Sequence, residues 1–107
     1  MSDFRFETSQ RGDEHLVRLF GDFDIAGFHQ IDAELHRIQT NGQPTVTLDL
    51  RGLTFIDSSG IRAILKADAR ARAIGRRLRL IAGPERVQKV FRITRLDAHL
   101  EFVEPED

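Results

Sequence analysis

The 107-residue sequence contains no cysteine, which excludes disulfides and thiolate metal sites. It has no tryptophan and no tyrosine, and its aromatics, 7% of the chain, are all phenylalanine. The core must therefore rest on Leu, Ile, Val, Ala and Phe. An excess of charge is also missing. The 16 basic and 17 acidic residues give a formal net charge of −1, with no global positive field to drive non-specific nucleic-acid binding. No apolar run approaches the roughly 20 residues of a membrane helix. Met1 to Glu7 alternates charge with Phe and holds no apolar signal core. The expectation is a cytoplasmic protein with no membrane insertion and no direct nucleic-acid contact.

Hydrophobic residues make up 40% of the chain, enough for one core, and the length suits one domain. A single domain over residues 1–107 is expected, ordered from about 3 to 103, with an acidic tail at 104–107. So short a chain leaves little room for a deep, two-walled active site. Flat contact with another macromolecule is the better default.

Phe4 and Phe6 alternate with Arg5 and Glu7, which predicts a strand with one wet face. Gln10 to Glu14 is a polar turn with a central glycine, and Leu16 to Phe20 a second strand, so the chain opens with a hairpin. Gly21-Asp22-Phe23-Asp24 closes that strand, with Asp24 placed to cap a helix. Phe28, Ile31, Leu35 and Ile38 form one apolar helical stripe, ended near Gly42. Thr45 to Leu50 is a β-branched, apolar central strand. Arg51 to Ile56 is expected to carry the chain over the sheet end, and a second helix runs from about Ser59 to Ile74, with Gly75 as its C-cap. Arg77 to Ala82 is a strand. Gly83-Pro84 opens a third helix, with Val87, Val90 and Phe91 as its buried side. Leu100 to Val103 is a final short strand. The order β-β-α-β-α-β-α-β predicts an α/β fold: a mixed, mostly parallel sheet with an N-terminal antiparallel hairpin and three to four helices.

The stretch from Leu48 to Gly60, LDLRGLTFIDSSG, carries the most chemical information. A helix N-terminus offers unpaired N–H groups and a partial positive charge, a setting that tolerates an added phosphoryl group. Ser58 or Ser59 could cap this helix with a hydroxyl at the surface. Read from residue types alone, Asp57, Ser58 and Ser59 are first of all caps and turn formers, since such residues are common at helix starts, with the phosphoacceptor reading left open.

Leu19-Phe20-Gly21-Asp22-Phe23-Asp24, the strand Val46-Thr47-Leu48-Asp49-Leu50, the run Phe55-Ile56-Asp57-Ser58-Ser59-Gly60-Ile61 and Gly83-Pro84-Glu85-Arg86-Val87 together resemble a STAS domain, the fold of bacterial anti-sigma factor antagonists. The resemblance covers essentially the whole chain. It implies that Ser58 is a phosphoacceptor. It also implies a partner: an anti-sigma factor serine kinase of the GHKL ATPase type, bound by the unphosphorylated domain and released by the phosphorylated one, freeing a sigma factor. A phosphatase completes the cycle. Asp22, Asp24, Ile25, Asp57, Ser59, Gly60, Ile61 and Arg62 are the candidate partner-binding residues. No cofactor, no metal and no catalytic residue is implied, so the chain is not expected to be an enzyme. The alternative within the same resemblance is an unphosphorylated STAS subunit of a lipid-transport ABC complex or of a stress-sensing assembly.

Three departures from the family pattern stand out. Phe23 replaces a usual Leu. Thr94-Arg95-Leu96 replaces a T-G-L turn, so that turn is expected to differ. Asp68 and Arg72 fall on the apolar side of the second helix; they are four apart and could pair, with that helix end overhanging the sheet and staying wet. Arg70, Arg72, Arg76, Arg77 and Arg79 form a basic cluster best read as a solvated helix end. His29 and His36 lie seven residues apart, too far along a helix to share a metal, and His15 and His99 stand alone. A serine hydrolase is a poor fit, because Ile56 occupies the place where a nucleophile elbow needs glycine.

Overall fold

The alternating phenylalanines and the polar turn do form a hairpin. In the computed structural model, which describes residues 3–106, β1 (Arg5–Arg11) pairs antiparallel with β2 (Glu14–Phe23). Met1, Ser2 and Asp107, parts of the expected N-terminal stretch and acidic tail, lie outside the described residues. Gly12 and Asp13 make the connection, and Gly12 takes a φ of +59°. Glycine at the first position of a two-residue loop suits the right-handed twist of the strands. Strand β2 starts at Glu14, earlier than its apolar run suggests.

The remaining elements are α1 (Ile25–Asn41), β3 (Thr45–Ile56), α2 (Ser58–Ala73), β4 (Arg77–Ile81), α3 (Glu85–Ile93) and β5 (Phe102–Val103). Sheet order follows chain order, β1-β2-β3-β4-β5, and every pairing after the hairpin is parallel. Two expectations about strands are corrected. The segment Arg51 to Ile56 does not leave the sheet. It extends β3 to 12 residues and stays paired through two register shifts against β2, at Arg18/Phe20 and at Gly21/Asp22. Each shift adds a residue to β3, the geometry of a β-bulge. The last strand is also shorter than Leu100 to Val103, because only Phe102 and Val103 reach β4.

The core lies on one face of the sheet. Val17, Leu19, Val46, Leu48, Leu50, Leu78 and Leu80 meet Ile31, Leu35 and Ile38 of α1, Ile64, Ala67 and Ala71 of α2, and Val87 and Phe91 of α3 in a single cluster. The stripe predicted for α1 is buried as a set. On α3 Val90 is half-buried, and Phe91 packs edge-on against Phe102 at 5.4 Å. The other sheet face carries no helix. It presents Arg18, Thr47, Asp49 and Arg79, and its apolar residues Leu16 and Ile81 are buried outside the main cluster.

The expectation of a wet overhang at Asp68 is corrected. Asp68 is only 7% exposed. It accepts from Arg72 Nε at 3.0 Å and lies 3.5 Å from His99 Nε2, so the buried carboxylate is paired with a guanidinium rather than left to water. The arginines of the basic cluster are held one by one. Arg70 donates to Gln39, Arg76 to the carbonyls of Gly42 and Gln43, Arg77 to Glu101 and Arg79 to Glu14. At the end of α3, Arg95 has a φ of +62°, so arginine occupies the left-handed conformation that glycine favours.

Candidate functional site

Strands β2 and β3 run parallel and end side by side, with Phe23 paired to Ile56. Each is followed at once by an aspartate that begins a helix. Asp24 Oδ1 accepts from Gly27 N–H at 3.3 Å and caps α1. Asp57 Oδ1 accepts from Ser59 N–H at 2.8 Å and Gly60 N–H at 3.2 Å and caps α2. Two helix N-termini therefore open onto one rim. The structure settles a point that sequence left open: the cap is Asp57, and neither serine serves as one.

Ser58 is the first residue of α2 and is exposed. Its hydroxyl makes no hydrogen bond with any described residue. Asp57 already takes the N–H groups of Ser59 and Gly60, so the hydroxyl is left to solvent. Ser59 and Asp57 are half-buried. Asp22, paired in register with Phe55, accepts from Thr54 Oγ1 at 2.7 Å. Asp22, Asp24 and Asp57 thus lie at the adjoining ends of β2 and β3, an acidic rim from which α1 and α2 both start.

The other candidates divide by exposure. Ile25 is 51% exposed, an uncovered apolar side chain beside Asp24. Arg62, one turn beyond Ser58, is exposed and holds its guanidinium 4.9 Å over the Phe28 ring, a cation–π contact. Gly60 and Ile61 are buried, so they hold the rim in place rather than face outward. A Cβ on Gly60 would lie 2.5 Å from the Phe23 carbonyl oxygen and 2.8 Å from Ile56 Cγ1. Only glycine lets α2 approach the end of β2 this closely.

One rim residue escaped the sequence reading. Phe55 is 47% exposed, next to the aspartates. Strict alternation in β3 would have to be read through the bulges to place it outside, and in the sequence only a glycine inside the strand, Gly52 beside the first shift, hints at them. Ile25 and Phe55 give the acidic rim two apolar contact points. Among the described residues no group of three or more His, Asp or Glu side chains gathers in a metal-binding arrangement, and no helix is long and apolar enough to cross a membrane.

A mixed five-stranded sheet with helices on one face, displaying an unengaged serine beside an aspartate cap, defines the class: a small α/β domain that offers a rim rather than a cleft. The family model described as "Mlab, STAS domain" matches residues 6–104, and the chain belongs to the STAS domain family. The chain is similar to the anti-sigma F factor antagonist of Lysinibacillus sphaericus, with 32% identity over 82 residues, 76% of this chain and 70% of that protein. The anti-sigma factor antagonist SpoIIAA in its unphosphorylated form aligns with a TM-score of 0.77 at 28% identity, over 97% of this chain and 90% of that one. SpoIIAA in its phosphorylated form, described as a Bacillus cell fate determinant, aligns with a TM-score of 0.72 at 27% identity, over 97% and 94% of the two chains.

Proposed function

We propose that this chain is an anti-sigma factor antagonist switched by phosphorylation of Ser58, and that it acts by binding rather than by catalysis. The unphosphorylated rim binds an anti-sigma factor serine kinase of the GHKL type and displaces a sigma factor; the phosphorylated rim lets go. The observation that carries the reading is the exposed, unengaged Ser58 hydroxyl at the start of α2. The likeness to an antagonist characterised in both unphosphorylated and phosphorylated forms supports it.

The physics is electrostatic. A phosphoryl group adds about −1.5 to −2 charges near neutral pH. Because Asp57 already occupies the free N–H groups of the first turn, the new dianion finds carboxylates beside it and points outward. A partner fitted to a neutral hydroxyl, with Ile25 and Phe55 against it, would then bury an unmatched dianion. Weakening a complex from nanomolar to micromolar takes about 4 kcal/mol, within the cost of an unpaired charge at an interface. The scaffold beneath is untouched.

The test joins mass and affinity. Incubation with the anti-sigma factor kinase and ATP should add one phosphate, located on Ser58, and Ser58→Ala should bind the kinase but gain no mass. The phosphorylated chain should bind at least a hundredfold more weakly, with amide NMR shifts confined to the rim. Equal affinity of the two forms, or shifts spread through the sheet, would rule the charge mechanism out. Stable binding to an ABC transporter ATPase with no mass gain would replace this reading with that of a non-phosphorylated transport subunit.

A further inference from the structure

The helix-free face of the sheet is built from charge, and its charges are unevenly matched. Strand pairing puts Arg5, Arg11, Arg18, Arg51 and Arg79 on this side with Glu7, Glu14 and Asp49. The carboxylates are already engaged: Glu7 by Arg5, Asp49 by Arg51, Glu14 by Arg79 and Arg11. Arg18 stands at the centre, in register between Glu7 and Asp49. It has no hydrogen-bonded or ion-paired carboxylate among the described residues and acts on Asp49 only through space.

One acidic segment already touches this face. β5 and β1 are opposite edges of the sheet, yet Glu106, three residues beyond β5, lies 3.4 Å from Arg11 Nη2 on β1. It closes one side of a cavity of about 270 Å³, lined also by Arg11, Glu14, Thr45 and Arg79. We propose that the open sheet face is a docking surface for an acidic, extended segment of a partner protein, and that residues 104–106 occupy it as a competing ligand in cis.

Spacing favours that occupant. Side chains two apart along a strand point the same way, roughly 6.6–6.8 Å apart. Glu104 and Glu106 have this spacing, and Pro105 between them favours an extended chain. Arg11 and Arg18 stand four ladder positions apart, about 13 Å, so an extended peptide with a carboxylate at every second residue can meet both, and the Glu7 and Asp49 that flank Arg18 are already engaged by Arg5 and Arg51. A nucleic acid would call for a broad positive field, and the chain's formal net charge is −1.

The experiment uses the full chain and a fluorescent octapeptide made of two tandem copies of the EPED sequence of residues 104–107. Removing the resident competitor with Glu104→Gln and Glu106→Gln should tighten peptide binding about threefold, the scale of exposed ion pairs. Arg18→Glu should weaken it roughly tenfold or more through like-charge opposition. Arg11→Gln, at a half-exposed side chain, gives the same direction should Arg18→Glu fail to fold. Ser58→Asp should leave peptide affinity unchanged, which separates this result from the fate of the switch. The proposal is overturned by equal affinity for the peptide with Gln and Asn in place of Glu and Asp. It is equally overturned by no gain in the tail variant, or by single-stranded RNA binding more tightly than the peptide.

Discussion

Asp57 and Ser58 are chain neighbours with separate tasks, and substitution can tell them apart. The Asp57 carboxylate accepts two backbone N–H groups, whereas the Ser58 hydroxyl is unengaged. Asp57→Ala should cost about 1 kcal/mol, the usual worth of an N-cap, or a Tm loss of about 4–8 °C in a domain of this size. Ser58→Ala should stay within about 0.5 kcal/mol of wild type, as surface changes do. Thermal melting of both variants checks the pair; a larger loss from Ser58→Ala would mean that the serine is structural. Arg95 offers a second test. Its φ of +62° places a side chain where a non-glycine residue is strained by roughly 1–2 kcal/mol. Arg95→Gly should recover part of that, net of the extra freedom glycine gains when unfolded, and raise Tm by a few degrees. An unchanged or lower Tm would show that the Arg95 side chain contributes more than the backbone strain costs. The T-G-L departure was visible in the sequence, but not that arginine would keep the glycine-like conformation.

The elements were legible where one periodicity ran unbroken. The α1 stripe, the hairpin, the parallel crossovers and the αL glycine after α2, Gly75 at φ +71°, follow from spacing and turn chemistry. The second half of β3 was not legible. Its buried residues fall at Leu50, Leu53 and Ile56, three apart, because the bulges break the two-residue alternation, and a spacing of three looks like anything but a strand. The same break hid Phe55 on the rim. The start of α2 depends on a close approach that only coordinates reveal. A methyl at position 60 would meet backbone and cannot be relieved by a rotamer change, so Gly60→Ala should push α2 off the end of β2. The expected cost is about 1–3 kcal/mol, the scale of overpacking, together with weaker binding of the proposed kinase partner as Ser58 and Asp57 shift with the helix. Gly75→Ala, in open space, would disturb only its own left-handed turn and leave binding intact. Equal kinase affinity for Gly60→Ala and wild type would show that the rim does not depend on this contact.

Across the whole molecule, the buried ionisable groups set the response to acid. Burial pushes the His15 imidazole below its ordinary 6.5, helped by Arg37 and opposed by Glu34, and His15 Nδ1 is buried without a hydrogen-bond partner among the described residues. Burial raises the carboxyls of Glu14 and Asp49, but this is outweighed. Hydrogen bonds from Thr47, Arg79 and Arg11 bring Glu14 below its ordinary 4.5, and the Arg51 side chain and backbone bring Asp49 below 3.8. All three are depressed in the folded state, so the unfolded chain binds protons first as pH falls. Each group's contribution is complete above its unfolded pKa and is lost as pH drops toward and through the folded value. Stability should therefore decline in two stages: gently from about pH 6.5 as His15 is forced to charge, then steeply below about pH 4.5 as the carboxylates of the open face are protonated and leave arginines unpaired. His15→Leu removes the first titration and the unmet nitrogen together. Urea midpoints from pH 8 to pH 4 should then show a flat segment between pH 7 and 5 with the lower fall retained. A wild-type slope in that variant would mean that His15 is not what the fold protects from protonation.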